Sequence, residues 1–575
     1  MNMQAHSKLC WLLALICFLS LFLFLGESQF NTRGEPREAV VALAMLERGN
    51  WVLPITNGVD MAYKPPLFHW AIATISAVTG QVTEYTSRMP SAIALTAMVL
   101  CSFLFYARRR NTELAFLTAL ITLTNFEVHR AGVNCRVDML LSALMVPALY
   151  RLYRWGEKHL RGIPWMAILF MSGAMLTKGP VGIVLPCLVM AVFLGIRGMN
   201  FVRIFLSFAA VGIASCILPA LWYVAAWKQG GDEFLQLVME ENVLRFLGKM
   251  SYASHENPAY YNVVMLLAGY VPYTLLALIS LFTLKYKKIQ GTPTRWWAQL
   301  KQYIRQMDDA RLFSLLSFAI IFVFYCIPKS KRSVYLLPVY PFLAYFLAEY
   351  ILFLIKKGSK AIQIYAVILS SLSVLLTAAF VAVKCGAVPH SIFHGKHAAE
   401  NIAYLEALEN IPFSLPVCLT VLLPLLPVVI YFWQKGKTTR QSFATYSAIA
   451  MTCCIFFALD GVYQPAVLNV KSNKPVAERI AEIAPEGTIY SYITQTAKGN
   501  RMHPFSINFY LGDRVVPFED FAPKAGYLIL GEREYDGFME NYGTKYEIEE
   551  VFDAHHKSCD DRDMIHFYRF QKKEN

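Results

Sequence analysis

The stretch Asn31-Thr32-Arg33-Gly34-Glu35-Pro36-Arg37-Glu38-Ala39, followed by Lys64-Pro65-Pro66-Leu67-Phe68-His69-Trp70, gathers carboxylates and cations in an otherwise apolar chain. Pro36 suits the first turn of a helix, Glu35 its N-terminal edge and Gly49-Asn50 its stop, so Glu35 is expected at a helix start. There it is either a reactive carboxylate or a solvated cap. Further cations stand in short polar stretches: Arg130, Arg136 beside Asp138, Lys178, Arg245, and Lys329-Ser330-Lys331-Arg332. A fixed cluster of Lys and Arg is a recognition surface for phosphate groups. For 329–332 the other reading is snorkelling to lipid headgroups. Asp138 is either a helix cap paired with Arg136 or part of a buried site.

What must position these groups is a membrane bundle. Of the 575 residues 56% are hydrophobic and 16% charged, whereas soluble domains carry about 25% charged residues. The mean hydropathy is +0.41. The apolar residues come in long runs, at 9–25, 91–107, 113–128, 138–153, 163–177, 180–196, 203–226, 260–284, 311–327, 335–355, 361–382, 413–433 and 443–460. Thirteen spans are expected. The first run is followed by Gly26-Glu27-Ser28 with no small-x-small pattern, so it reads as an anchor, not a removed signal peptide.

With the N-terminus inside, every alternate loop is basic, including Arg108-Arg109-Arg110, 151–161, 197–203, 285–311, 356–360 and 435–440. Positive charge on the inner loops sets that orientation. The net charge of +13 is therefore a matter of topology, and nucleic acid is not implied. Most of the twelve cysteines lie in apolar runs without CxxC spacing, which argues against a disulfide framework or a zinc site.

The odd span count places residues 28–90 and the tail outside. Residues 1–460 are expected to form the transmembrane domain that carries the chemistry, with 28–90 as its periplasmic loop. Residues 461–575 read as a periplasmic α/β domain. Its helices are expected at 476–483 and near 535–542, and its strands at 488–490, 526–530, 546–548 and 566–568.

The chain resembles the aminoarabinose transferases that modify lipid A, within the membrane glycosyltransferases that include protein O-mannosyltransferases. The family's acidic pair, one residue, then Arg-Tyr-Ala falls on Gly34-Glu35-Pro36-Arg37-Glu38-Ala39, and its Glu-Met-Leu and Gly-Asp-Trp fall on Ala44-Met45-Leu46 and Gly49-Asn50-Trp51. Its Lys-Pro falls on Lys64-Pro65, its span-opening aspartate on Asp138 and its Thr-Lys-Gly on Thr177-Lys178-Gly179. Glu-His-x-x-Arg-Phe falls on Glu241-Asn242-Val243-Leu244-Arg245-Phe246, with a later histidine at His255, and Lys-Gly-Lys with its Tyr on Lys329-Ser330-Lys331 and Tyr335. The chain departs from the pattern at Gly34, where the family has its first carboxylate, at Tyr63, where a glutamate accompanies Lys-Pro, and at Asn242.

The resemblance implies an α-helical polytopic membrane protein with a C-terminal soluble α/β domain in the bacterial inner membrane. It implies inverting transfer of a sugar from a polyprenyl phosphate carrier to a lipid, glycolipid or other envelope acceptor, as in lipid A and lipopolysaccharide modification. A hydroxyl acceptor needs a base, for which Glu35 is the first candidate and Asp138 the second. A phosphate acceptor needs positioning instead. Arg37, Lys64, Lys329, Lys331, Arg332 and Tyr335 are the candidates to hold the carrier phosphate. Lys178, Glu241, Arg245 and His255 complete the expected substrate-binding set. No cofactor is expected, and a bound divalent metal has no support in the residues. The competing functions are a transporter or flippase of a polyprenyl-linked or other lipid, which many spans and intramembrane charges also suit, and a protein O-glycosyltransferase. No internal repeat of the transporter kind is visible, which favours the enzyme.

Overall fold

The structure, a computed structural model, describes residues 3–244, 249, 256–284, 293–435, 441–492 and 503–574. After the first apolar helix, α1 (Met3–Leu21), the chain forms α2 (Gly34–Arg48), a short hairpin β1 (Ile55–Thr56) and β2 (Asp60–Met61), and α3 (Leu67–Thr79). Then come α4 (Glu84–Arg109), α5 (Thr112–Thr124), α6 (Phe126–Gly132), α7 (Val137–Glu157), α8 (Trp165–Lys178), α9 (Val181–Ile196) and α10 (Phe201–Met239). The expected stop of α2 is present, with Gly49 in the left-handed region at φ +69° where a side chain would be strained.

Among the described residues six helices are long and apolar enough to cross a membrane, or nine if three sharply bent pairs each count as one span. The remaining four expected runs coincide with the shorter apolar helices 6–21, Thr112–Thr124, Trp165–Lys178 and Val181–Ile196. Two features were not in the expected pattern. The run 113–128 breaks at Asn125, whose side-chain carbonyl accepts from Val128 N–H and restarts the chain as α6. From there the backbone turns by 111° into α7, so Arg136 and Asp138 sit at a corner rather than inside a straight span. The run 203–226 continues well past its predicted end to Met239, interrupted by Gly231 at φ +58°.

Large aromatics such as Tyr106, Tyr345 and Phe313 are buried between the helices. Phe201, Phe205, Ile213 and Leu221 on α10 are exposed, as side chains facing lipid would be. The C-terminal sheet has the order β4 (Val515–Pro517), β3 (Ile489–Ser491), β5 (Ala525–Gly531), β7 (Met564–Lys572), β6 (Tyr546–Lys557). β4, β3 and β5 are parallel, while β7 and β6 continue antiparallel. The predicted helices and strands of the tail are all present, with β4 in addition.

This sheet unit packs on the loop that holds α2. Phe30 and Phe509 meet edge to face at 4.9 Å, and Tyr510 Oη donates to Glu84 (2.7 Å) while accepting from Phe30 N–H (3.0 Å). Asp513 accepts from Asn57 N–H (2.9 Å) and pairs with Arg48 (2.7 Å). Thus α2 is pressed between the membrane helices and the tail.

Candidate active site

Glu35 lies in the first turn of α2 and is buried. Arg88 on α4 donates to both of its oxygens, from Nε at 2.9 Å and Nη2 at 3.0 Å, and Cys135 N–H donates at 2.8 Å. The third Arg88 nitrogen, Nη1, donates to the carbonyls of Leu25 and Ser28, so one ion pair ties the chain after α1 to α2, α4 and the α6–α7 corner. Burial pushes the Glu35 carboxyl up, but the charge and hydrogen bonds of Arg88, the Cys135 N–H and the Arg136 charge together outweigh it and hold the group below its ordinary value.

One helical turn on, at i+3, Glu38 is buried in a different set of partners, a cluster that sequence reasoning did not assemble. Lys64 Nζ donates to Oε1 at 3.1 Å, Arg37 Nη2 to the same oxygen at 2.9 Å, and His69 Nε2 to Oε2 at 2.9 Å. Burial pushes the Glu38 carboxyl up, and Lys64, Arg37 and His69 together overcome it, holding it well below the usual carboxylate range. Burial and then repulsion from Arg37 lower the Lys64 ammonium, against the pull of Glu38 and Glu241. Glu241 therefore lies within electrostatic reach of Lys64, and of Arg37 as well. The available signals for Glu38 and His69 were a charge repeated at helical spacing on a buried face, and a histidine five residues after Lys64.

A second group stands at the α7 corner. Lys178 Nζ, at the end of α8, pairs with Asp138 and lies 4.0 Å from the centre of the Tyr335 ring. Of the two readings for Asp138, the structure supports the buried pair: its partner is Lys178 rather than Arg136. The chain after α10 joins both groups. Glu241 acts on Lys64 and Arg37, while the Asn242 side chain fills the space beside Gly179, where any Cβ would stand 2.5 Å from its Oδ1.

The loop 329–332 divides its labour. Lys329 is exposed, whereas Lys331 is buried and donates to the Asn257 carbonyl at 3.3 Å. Asn257 answers through its side chain to the Lys331 carbonyl and through its N–H to that of Lys329. Arg332 faces Arg33 closely enough that burial, Arg37 and Arg332 together lower the Arg33 guanidinium, with Asp560 and Asp561 opposing them. Arg245 and His255 lie outside the described residues.

Behind Glu35 is a cavity of about 190 Å³, lined by Arg88, Arg130, Arg136, Asn31 and Asp460 on its polar side and by Leu21 and Phe24 on its apolar side. Arg130 is paired with Glu127 (2.8 Å), and Asp460 with His129 (2.7 Å). Arg136 makes no ion pair among the described residues, and its Nη1 lies 3.2 Å from where a Cβ on Gly34 would stand. The first turns of α2 thus meet two cationic groups, Arg37 with Lys64 at Glu38 and Arg136 at Gly34. Such an arrangement can hold two anionic groups near the start of one short helix. Both Glu38 oxygens in the Lys64 region are taken by Arg37, Lys64 and His69.

Residues 63–223 match the family model for dolichyl-phosphate-mannose-protein mannosyltransferase. The undecaprenyl phosphate-alpha-4-amino-4-deoxy-L-arabinose arabinosyl transferase of Shewanella sediminis is 26% identical over 478 residues, covering 82% of this chain and 80% of its own length. A second transferase of that name from Proteus mirabilis is 26% identical over 78% of this chain and 72% of its own. Among solved structures, ArnT from Cupriavidus metallidurans bound to undecaprenyl phosphate shares the fold with a TM-score of 0.68 at 17% identity, covering 99% of this chain and 98% of that one. The same protein in the apo state gives 0.68 at 18% identity. The resemblance carried by the motifs is thus present along the sequence and in the fold.

Proposed function

We propose that this chain is a polyprenyl-phosphate-dependent glycosyltransferase that moves a sugar, with inversion, from its lipid carrier to an envelope lipid at the periplasmic face of the bacterial inner membrane. The observation that carries the reading is the cluster of Arg37 and Lys64 on Glu38, with Lys178 and Tyr335 beyond Asn242, at the ends of apolar helices. Relatives similar along most of the chain are named undecaprenyl phosphate-alpha-4-amino-4-deoxy-L-arabinose arabinosyl transferases. A lipid phosphate placed there keeps its tail among the spans and its charge among cations.

In the transfer, an acceptor oxygen attacks the anomeric carbon, the bond from that carbon to the carrier phosphate breaks, and the carrier leaves as polyprenyl phosphate. Lys64 and Arg37 stabilise the negative charge that grows on the leaving phosphate, as donors fixed in advance by Glu38. Lys178, held by Asp138 and lying over Tyr335, supports the same group from the other side. Lys331 positions the loop that presents Lys329 and Arg332.

The acceptor is an anionic lipid headgroup of the phosphate type, such as the phosphate of lipid A, seated in the cavity at Arg136. Glu35 and Glu38 both spend their oxygens in ion pairs and are held low, so neither is suited to take a proton from a hydroxyl. A phosphate oxygen is already ionised and needs only orientation. The tail, with residues 28–90, closes the periplasmic side of the site.

Deleting the gene and extracting the envelope lipids tests this directly. One glycolipid should lose a sugar attached through phosphate, while a polyprenyl-phosphate-linked sugar accumulates. An unchanged envelope with no accumulated donor would overturn the assignment, and donor trapped on the cytoplasmic leaflet would make the chain a flippase.

A further inference from the structure

The C-terminal sheet carries a group of side chains that the transfer reaction does not use. On β6 and β7, Glu550, Asp553 and His566 each offer a ligand atom, and these atoms all lie within 4.8 Å of one another. His566 Nδ1 is 3.1 Å from Glu550 Oε1 and 3.8 Å from Asp553 Oδ1. A fourth group is adjacent: His555 Nδ1 lies 2.9 Å from Asp553 Oδ2.

The convergence comes from the backbone. Glu550 and Asp553 are three apart, so in a regular strand they would point to opposite faces. The register shifts between Glu550 and Phe552, so that Glu550 stands opposite Tyr568, Phe552 opposite Phe567 and Asp553 opposite His566. The extra residue, Val551, restores parity and brings both carboxylates to the face of His566. A second irregularity, between Asp553 and Lys557, holds His555 at φ +44° with its N–H on Asp553 Oδ1 (2.8 Å).

The charges around the group are one-sided. Glu550 and Asp553 form their ion pairs with His566 and His555, and neither pairs with a Lys or Arg among the described residues. Imidazole with carboxylate is a ligand set that suits zinc and its neighbours, with bonds of about 2.0–2.2 Å. Four ligands at that radius stand roughly 3.4 Å apart in a tetrahedron, and the ligand atoms of Glu550, Asp553 and His566 already lie within 4.8 Å of one another, with His555 on Asp553.

We propose that the bulged end of β6 and β7 is a binding site for a divalent transition metal of the zinc class, with Glu550, Asp553 and His566 as ligands and His555 as the fourth. The ion clips the irregular end of β6 to β7.

Zinc titration of the full-length protein in detergent against a chromophoric chelator tests the site, and Co²⁺ absorption reports its geometry. Wild type is expected to bind one more equivalent than His566→Ala or Asp553→Asn, and His555→Ala to bind that equivalent about tenfold or more weakly. A tetrahedral Co²⁺ spectrum should vanish in the first two variants. The substitutions leave the core residue Phe567 and Phe552 packed against it in place, so an unchanged melting temperature without metal verifies that each variant is folded. Equal stoichiometry and affinity in wild type and in the His566→Ala, Asp553→Asn double variant would overturn the proposal, as would an octahedral Co²⁺ spectrum unaffected by either change.

Discussion

Arg136 points its guanidinium at the bare α-carbon of Gly34, 3.2 Å from the place a side chain would begin. Where the resembling family carries a carboxylate, this chain leaves a cation open toward the cavity. Gly34→Asp would supply Arg136 with an internal counterion. Because position 34 has an ordinary helical φ and Arg136 has a flexible end, the variant should fold. Its expected effect is a rise in KM for the acceptor with little change for the donor. Arg136→Ala should raise the same constant, since a charged hydrogen bond contributes about 1.5–3 kcal/mol. Unchanged acceptor kinetics in both would move the acceptor out of this cavity.

Lys64→Ala removes one of three donors to Glu38 and the cation nearest the expected carrier phosphate. Binding of polyprenyl phosphate should weaken by about 1.5–3 kcal/mol, and turnover should fall further as leaving-group stabilisation is lost. Donor binding in detergent, measured with Lys329→Ala beside it, separates the two loops. A loss confined to Lys64→Ala would leave Lys329 as a headgroup contact.

Glu35→Gln should be a stability lesion before it is a catalytic one. It leaves Arg88 buried beside a neutral amide, and breaking a buried pair from one side costs about 3–5 kcal/mol. Thermal unfolding should shift down strongly, while turnover per folded molecule with a phosphate acceptor stays within a few-fold. A large fall in kcat at unchanged stability would instead restore Glu35 as the base, with Asp138→Asn as the comparison.

Asp560 gives the tail a pH dependence of known sign. Burial is the main cause that pushes its carboxyl up to about 7, against hydrogen bonds from Ser506 N–H at 3.0 Å and the Asn473 amide at 3.4 Å. One of its oxygens is buried without a partner. A group whose folded pKa is raised contributes stability that is complete at low pH and is lost as pH climbs through the folded value. Stability of the tail should therefore decline between about pH 4 and 7, and Asp560→Asn should flatten that slope. Melting temperatures measured across the range check both.

Much of the architecture was legible because its cause is local. Long apolar runs, alternating basic loops, Gly49 as a helix stop and the strand patterns of the tail need no knowledge of distant neighbours. The corner at Asn125–Asp138 was hidden, since its apolar flanks read as two ordinary spans and only the restart at Asn125 marks the break. Asn57-Gly58, both at positive φ in the β1–β2 turn, was a hairpin signal that went unread. In the site, residue types picked out Lys64, Arg37, Asp138 and Lys178, but pairing is a long-range fact. Glu35 finds Arg88 across 53 positions and Lys178 finds Asp138 across 40, and no spacing rule selects such partners. Glu38 escaped notice because its neighbour Glu35 had the more suggestive place at the helix start.

The wedging of α2 between bundle and tail has a consequence for how the protein is inherited and rebuilt. The helix is anchored on one side through Glu35 to Arg88, and on the other its Arg48 and the preceding Phe30 engage Asp513 and Tyr510. A tail exchanged from a relative would have to reproduce Phe509, Tyr510 and Asp513 or let α2 drift. The two halves of this chain are thus free to vary in sequence only as a matched set, and a chimera joined near residue 461 should regain turnover when those three positions travel with the membrane half they touch.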